Sequence, residues 1–372
     1  MKKKLTHIPW WEPQIGPYEY ELIKKVFKSN FPNEGPLTIE FEKKLAKLLQ
    51  VPYVIAVPNA TSAIFLSLKA QGIGPGDEVI IPDLTFIATA NAAEMTGAKV
   101  VLVDVDPNTL ILSPETFKKA ITKNTRAVVP VHISGRPAKI NEICEIAKKH
   151  NIAVIEDAAE AFMSQFQGKF LGTFGETGCF SLSPAKTITT GQGGFIAIKN
   201  KELYIKIKKL KDQGRAKRGT GGDDIHDDIG YNFKYTDLQA AVGLGQLRYL
   251  KKRMRRLTRN HMLYRKYLAG VPQVTFFECN IKEGILPLWT DVIVEKRNDL
   301  DRYLQKANVD CRRFWIPIHQ QKPYKLNDTK FPVSSSKAKN VLWLSSAYTL
   351  TDDNIKTVSN LIRRFYNHSP IS

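Results

Sequence analysis

The sequence has few cysteines, no paired-cysteine motif and no long apolar run. Its 372 residues contain four scattered cysteines: Cys144, Cys179, Cys279 and Cys311. This distribution argues against a disulfide framework or a zinc site and favours a reducing, cytoplasmic compartment. No stretch of 18 or more apolar residues occurs, so we expect no transmembrane helix. The basic segment 1–9 lacks the apolar run of a signal peptide.

Acidic residues are scarce relative to basic ones, with 36 Asp and Glu against 55 Lys and Arg and a net charge of +19. Much of the positive charge lies in residues 199–266, where it alternates with apolar residues at helical spacing. This pattern predicts the solvated faces of amphipathic helices. A second interpretation is attraction of a polyanion such as a nucleotide sugar. Because no helix-turn-helix, zinc-knuckle or RNP signature is present, we expect no nucleic-acid partner.

Short apolar strands alternate with helical segments over residues 53–156, including a predicted helix at 85–96, and two further strands are predicted at 179–183 and 194–198. Such alternation predicts an α/β fold with a mostly parallel sheet and helices on both faces. The remaining chain begins with a long helix and continues with mixed short strands and helices. We therefore expect two domains: residues 1–240, an N-terminal segment with a large α/β domain, and residues 241–372, a smaller α+β domain.

Lys186 is the residue with the clearest chemical signal. It lies between Ser181 and a glycine-rich turn, and an apolar strand upstream ends in the carboxylate of Asp157. A lysine amine can condense with an aldehyde cofactor. A buried carboxylate can keep a pyridinium nitrogen protonated, so that the ring accepts electrons. Each residue alone has an ordinary interpretation, a solvated loop lysine or a strand-end aspartate. Together they favour a site for pyridoxal 5'-phosphate (PLP).

Hydroxyl and aromatic side chains lie where PLP would need them. Thr61 and Ser62 open a helix directly after a strand, where N–H groups suit a phosphate. Ser181 offers another hydroxyl, and Phe86, after the next strand, could stack on a pyridine ring. The alternatives are simple helix capping for the hydroxyls and a core position for the phenylalanine. Glu160 could face the same pocket as Asp157, or both could be solvated.

These residues resemble, in their order, the DegT/DnrJ/StrS-type family of PLP-dependent sugar aminotransferases. The resemblance covers nearly the whole chain. Its segments include Gly35–Glu42, Gly72–Ile80, Pro130–Pro137, the Asp157 and Lys186 regions, Gly230–Gln239 and Ile316–His319. It implies PLP-transferase fold type I and a homodimer with shared active sites.

The resemblance assigns roles to residues by position. Lys186 matches the lysine that holds PLP, Asp157 matches the partner of the pyridinium nitrogen, and Phe86 matches the stacking ring. The remaining matches form two groups. One group contacts the cofactor phosphate and includes one residue from the partner subunit, and the other contacts the sugar nucleotide. The phosphate contacts are Thr61 and Ser181, with neighbouring backbone from Ala60 and Ser62, and Asn232 of the other subunit; the sugar-nucleotide contacts are Arg312 and His319.

The resemblance implies amino transfer from glutamate, which leaves as 2-oxoglutarate, to a keto-sugar nucleotide. Glu160 looks like the residue of the perosamine synthase branch, which aminates C4 of 4-keto-6-deoxy sugars, and it is expected to contact cofactor and substrate. Arg215, Lys217 and Arg218 are expected near the opening that Asn232 reaches. The alternatives are a sugar 3-aminotransferase, a PLP-dependent dehydratase relative and a non-enzymatic basic binding or regulatory protein. Lys186 argues against the dehydratase, because those relatives carry histidine there.

Overall fold

The computed structural model describes residues 6–215, 225–369 and residue 371. Lys217 and Arg218, which the sequence analysis placed near Asn232, lie outside these residues. In the part of the chain that is described, no helix is both long and apolar enough to cross a bilayer.

Two helices precede the central sheet: α1 (Pro17–Lys28) and α2 (Pro36–Leu49). Each begins with proline directly after a glycine N-cap. Proline is well suited to this position because its missing N–H would have no partner in the first helical turn. α2 buries Phe41 and Leu45 in an apolar cluster that includes Phe195 of the sheet, so these helices cover one face of it.

Strands and helices then alternate as far as Ala153–Asp157, as the sequence predicts, and further strands follow before a helix that ends at residue 211. The strands are β1 (Tyr53–Val57), β2 (Glu78–Pro82), β3 (Lys99–Val103), β4 (Thr125–Val128), β5 (Ala153–Asp157), β6 (Gln165–Phe166), β7 (Lys169–Phe170), β8 (Thr177–Ser181) and β9 (Gly194–Ile198). The helices are α3 (Ala60–Ala70), α4 (Ala88–Glu94), α5 (Pro114–Ala120), α6 (Ile140–Lys149) and α7 (Lys201–Lys211).

Seven of these strands form the central sheet, in the order β1–β9–β8–β5–β4–β2–β3, while β6 and β7 form a separate hairpin. Neighbouring strands from β8 to β3 are parallel, and β9 runs antiparallel to both β8 and β1. The mostly parallel sheet predicted from the sequence is therefore confirmed. Because β9 alone is reversed, the carboxyl ends of β1, β2, β5 and β8 share one edge, where α/β proteins commonly bind ligands.

The C-terminal part begins with a long helix and continues as a second sheet with flanking helices. Its elements are α8 (Asp237–Tyr267), β10 (Val274–Phe276), β11 (Asp291–Val294), α9 (Arg297–Lys306), β12 (Arg312–Arg313), α10 (Pro332–Lys337), β13 (Val341–Trp343) and α11 (Asp352–Phe365). The four strands are antiparallel, in the order β10–β11–β13–β12. The domain boundary proposed between residues 240 and 241 falls inside α8, which packs Leu250 into the cluster of the first sheet and Tyr264 into that of the second.

Two details differ from the sequence analysis. The predicted helix at 85–96 is shorter, because residues 85–87 form a turn and α4 begins at Ala88. The basic segment 199–266 is not uniformly solvated. Lys211 is buried, with its Nζ 2.9 Å from Glu34 Oε1, and Arg253 is buried with its guanidinium over the Tyr348 ring. Some of the positive charge therefore holds the fold together.

Candidate active site

Strand register brings three chain segments together at one edge of the sheet. Gly194, the first residue of β9, lies opposite Val57 at the end of β1 and opposite Ser181 at the end of β8. A Cβ on Gly194 would lie 2.6 Å from the carbonyl carbon of Asn59. Glycine is therefore required here, because the start of α3 packs directly on this backbone. The beginning of α3 and the segment that leads to Lys186 consequently lie at the same edge.

Lys186 lies on a loop that follows β8. The loop is closed at its base by the Thr190 N–H and the Thr189 hydroxyl, which both donate to the Leu182 carbonyl at 3.0 Å. The Trp11 indole N–H donates to the Pro184 carbonyl at 2.8 Å. These bonds fix the backbone that presents Lys186. Its side chain, 14% exposed, points toward a carboxylate in the turn that follows β5.

That carboxylate is Glu160, whose Oε1 lies 3.4 Å from Lys186 Nζ. Its other oxygen accepts the Ser134 N–H at 3.0 Å. Burial raises the pKa of Glu160, while the nearby Lys186 charge lowers it in part. Glu160 is therefore a buried acid beside an amine, with one backbone donor.

Asp157, the last residue of β5, is also buried near Lys186. Its two oxygens accept the Thr89 hydroxyl at 2.7 Å and the Ala159 N–H at 3.1 Å. Burial raises the pKa of Asp157, and the Thr89 hydrogen bond opposes this rise. The alternative in which Asp157 and Glu160 are both solvated is therefore wrong, since each residue is only 6% exposed. Thr89 lies on α4, so it also ties Asp157 to the segment that carries Phe86.

The start of α3 offers free backbone donors. Asn59 is the N-cap, and its side-chain oxygen accepts both the N–H and the hydroxyl of Ser62, at 2.8 and 3.0 Å. Capping is thus the role of this pair, and neither Ser62 donor is left over. The N–H groups of Ala60 and Thr61, in the first turn, have no intrahelical acceptor. They and the half-buried Thr61 side chain suit an anion such as a phosphate.

Two other predicted cofactor contacts lie at this edge. Ser181 ends β8, and its hydroxyl oxygen accepts the Ser183 N–H at 3.3 Å. Phe86 lies in the turn between β2 and α4 and is 54% exposed. A core position for Phe86 is therefore wrong, and the ring face is available to a ligand or a partner chain.

Three predicted residues lie apart from Lys186. Asn232 is exposed and pairs by backbone with Asp212. His319 is fully buried, with Nδ1 2.6 Å from Asp83 and Nε2 2.9 Å from Asp328. Because both ring nitrogens are occupied by carboxylates, His319 fixes the chain after β2 in this structure. The contacts of Asn232 and His319 with cofactor or substrate stay predictions.

Arg312 lies at the far side of an aromatic cluster that reaches Lys186. Its guanidinium carbon is 5.0 Å from the Trp10 ring centre, and Trp10 packs on Trp289 at 5.2 Å. The Trp289 ring centre in turn lies 4.7 Å from Lys186 Nζ. Sequence reasoning missed Trp289, Ser134 and Thr89. The one signal present was the Ser134-Gly135 turn within Pro130–Pro137.

The arrangement fits PLP. A shielded amine can hold the aldehyde, a buried carboxylate can face the pyridine nitrogen, and free N–H groups at a helix start can hold the phosphate. In the described residues no cluster of His, Cys, Asp or Glu could hold a metal ion. Fold and site together define a PLP-dependent enzyme of fold type I. The chain belongs to the DegT/DnrJ/EryC1/StrS aminotransferase family, whose family model matches residues 13–363.

Known proteins resemble this one along its full length. It is 34% identical to the GDP-perosamine synthase of Escherichia coli O157:H7, over 98% of this chain and 100% of that protein. It is 32% identical to the spore coat polysaccharide biosynthesis protein SpsC of Bacillus subtilis, over 98% of each chain. A DegT DnrJ EryC1 StrS aminotransferase from Brucella abortus superposes with a TM-score of 0.86 at 30% identity, covering 94% of this chain and 95% of that one. The chain is accordingly a PLP-dependent aminotransferase.

Proposed function

We propose that this aminotransferase moves an amino group from L-glutamate to C4 of a nucleotide-linked 4-keto-6-deoxy sugar. The product would serve the biosynthesis of a surface polysaccharide such as O-antigen or of another glycoside. The similarity to GDP-perosamine synthase along the whole chain supports the substrate class and favours a GDP-linked sugar over a dTDP- or UDP-linked one. The observation that carries the proposal is the Lys186 amine beside the buried carboxylates Asp157 and Glu160.

The chain supplies the groups that the reaction needs. PLP, when bound, takes up the amino group through its aldehyde and accepts negative charge in its ring. Lys186 holds the cofactor and, once released, removes a proton from the substrate carbon and returns one to the cofactor side. Asp157 keeps the ring nitrogen protonated. Glu160, which faces the same amine, is placed to contact both cofactor and sugar.

Phosphate binding is assigned to the start of α3 and the end of β8. The Ala60 and Thr61 N–H groups are donors for the cofactor phosphate, together with the hydroxyls of Thr61 and Ser181. Phe86 covers one face of the pyridine ring. Arg312 and His319 are assigned to the side that takes the sugar nucleotide, where the net charge of +19 favours a diphosphate.

We also propose a homodimer with shared active sites, working in the cytoplasm. Large apolar side chains are exposed on α1 and α2 and at the site edge, including Phe27 (65%), Ile39 (53%) and Phe86 (54%). Large contiguous patches of exposed apolar side chains mark interfaces, and these residues are our candidates for such a patch. Asn232, exposed and remote from Lys186 in its own chain, is assigned to the phosphate of the partner's site. The free cysteines suit a reducing compartment.

Subunit mixing tests the shared site. Lys186→Ala and Asn232→Asp are each expected to be nearly inactive as homodimers. A hybrid dimer would combine both defects in one site and leave the other site intact. Each hybrid dimer should therefore have up to about half of the activity of a wild-type dimer. Mixtures that exchange subunits and remain inactive would refute the assignment of Asn232 to the partner's site.

A panel of keto-sugar nucleotides tests the substrate. The protein, loaded with PLP, is incubated with L-glutamate and each 4-keto or 3-keto sugar nucleotide, and the amine is detected by mass spectrometry. We expect amination at C4, dependent on Lys186. Amination at C3 would identify a sugar 3-aminotransferase. Loss of oxygen without amination would identify a dehydratase relative, and absence of any turnover with PLP bound would refute the substrate class.

A further inference from the structure

Trp289 reaches Lys186 from the C-terminal part of the chain. Its side chain is only 3% exposed, and its ring centre lies 4.7 Å from Lys186 Nζ. The residue follows a segment that is held against the Ser134-Gly135 turn. The Leu288 N–H donates to the Ser134 carbonyl at 3.1 Å, and a Cβ on Gly135 would lie 2.0 Å from the Leu286 carbonyl oxygen. The close approach that only glycine permits therefore places Trp289 at the amine.

The Trp289 ring is fixed by its neighbours. Trp10 packs on it at 5.2 Å between ring centres, and Trp343 meets it edge-on at 5.0 Å. The Trp343 indole N–H donates to the Ser134 hydroxyl at 3.1 Å, and the Ser134 N–H donates to Glu160. The two groups that contact Lys186, the indole face and the Glu160 carboxylate, are thus linked through Ser134.

Core packing alone would explain a buried aromatic ring, but it does not explain this one. Trp289 carries an indole N–H that has no hydrogen-bond partner in the described part of the chain. Such a buried donor is costly, and phenylalanine or leucine would fill an apolar core without it. The indole also has the aromatic face that attracts a cation most strongly. Trp10 in the same cluster also has an indole N–H without a partner in the described part of the chain, so what distinguishes Trp289 is that its ring face lies over the Lys186 amine.

We propose that Trp289 is a positioning residue for the Lys186 amine. Its ring and Glu160 hold the protonated amine in one orientation. Once the amine has given its proton to Glu160, the neutral amine lies within reach of the cofactor aldehyde and the substrate proton. The inference rests on the proposed role of Lys186. It predicts slower reaction of the amine when the ring is lost, with little change in the binding of either substrate.

The experiment compares Trp289→Leu and Trp289→Phe with Trp315→Leu. Trp315 is the matched control, because it packs on Trp343 at 5.0 Å in the same cluster, whereas the ring that lies over Lys186 Nζ in the described structure is that of Trp289. Cofactor-free protein is mixed with PLP at limiting concentration, and the rate of formation of the lysine-linked absorbance band is measured. Because the amine loses its fixed orientation, we expect the rate to fall about tenfold in Trp289→Leu and about threefold in Trp289→Phe, and to be unchanged in Trp315→Leu. For turnover, kcat should fall by similar factors while the KM for glutamate stays within about twofold.

Borohydride reduction and peptide mapping separate the possible failures. If the wild-type adduct is absent from Lys186, the proposed role of Lys186 fails. If the adduct is on Lys186 in every variant and Trp289→Leu reacts as fast as Trp315→Leu, the positioning role is refuted. Should Trp289→Leu fail to fold, Trp289→Phe decides the question, since a wild-type rate in this variant overturns the need for the indole.

Discussion

Two buried carboxylates lie on opposite faces of the sheet at the end of β5, and they differ in how many hydrogen-bond donors surround them. Glu156 is fully buried and accepts the backbone N–H groups of Gly172, Phe174 and Gly175 at 2.6 to 2.8 Å. It also lies 2.9 Å from His132 Nε2. Because His132 Nδ1 accepts a backbone N–H, Nε2 carries the proton and donates to Glu156.

Asp157, its neighbour in sequence, points to the other face, since side chains alternate along a strand. It has one hydroxyl and one N–H donor, and burial raises its pKa. The Glu160 carboxylate also has two donors, the Ser134 N–H and the Lys186 amine, and burial raises its pKa as well. A buried carboxylate with a full set of donors holds a loop in place. One with few donors is unstable unless a ligand supplies them, which is typical of a functional site.

The largest expected effect comes from Asp157→Asn. Asparagine keeps the size of the side chain but loses the charge that stabilises a protonated ring nitrogen. Turnover should fall by about a thousandfold or more, equivalent to ~4 kcal/mol at the transition state. Steady-state kinetics at saturating PLP measures this. Near-normal turnover would mean that another group protonates the ring.

Glu156→Gln tests the other face of β5. Glutamine replaces one carboxylate oxygen by an NH2 group, which cannot accept hydrogen bonds. Some of the backbone N–H groups at 172–175 would therefore lose the acceptor that holds this loop. The free energy of unfolding should fall by about 3 kcal/mol, as for other broken buried charge networks. Chemical denaturation measures it, and the exposed Glu176→Gln is the control. Unchanged stability together with lost turnover would show that Glu156 serves the reaction and not the fold, contrary to the structural role assigned to it here.

Glu160→Gln should have a smaller effect on turnover. The amide can still accept the Ser134 N–H but no longer attracts the Lys186 amine as a charge. We expect kcat to fall about tenfold, equivalent to ~1.4 kcal/mol, with the fold unchanged. A loss as large as that of Asp157→Asn would show that Glu160, not Asp157, is the essential carboxylate.

The smallest effect concerns the cofactor-free protein. Burial raises the folded-state pKa of Asp157 above its unfolded value, so the folded state gains stability by binding this proton. That stability is complete below about pH 3.9, the unfolded value, and is lost as the pH rises through the folded pKa. Cofactor-free Asp157→Asn should therefore melt about 2 °C higher than wild type at pH 7, with the difference vanishing below about pH 4. A lower melting temperature at pH 7 would show that the Asp157 charge stabilises the empty site.

Local pattern was enough to predict part of this architecture. The strand ending in Asp157, the loop with Lys186 and the helix start at Ala60 are each defined by residues adjacent in the chain. The direction of β9 could not be predicted from the sequence, because a short apolar strand has the same residue pattern whether it runs parallel or antiparallel to its neighbours. The turn at 85–87 was mistaken for helix, since its residues are compatible with both.

Contacts between distant segments were beyond sequence reasoning. Trp289 meets Lys186 only because the C-terminal segment crosses to the edge of the sheet. Ser134 meets Glu160 because β4 and β5 are neighbours in the sheet, although the two residues are 26 positions apart in the chain. Glu156 and Asp157 are both carboxylates at a strand end, and only the structure shows which one is saturated by backbone donors. The burial of Lys211 likewise depends on Glu34, far away in the chain.

The most direct test is the site of PLP attachment. The PLP-loaded protein is reduced with borohydride, digested and mapped by mass spectrometry, with Lys186→Ala treated in parallel. We predict a single phosphopyridoxyl adduct on the peptide that contains Lys186, and no adduct in the variant. A stoichiometric adduct on any other lysine, or one that persists in Lys186→Ala, would contradict it.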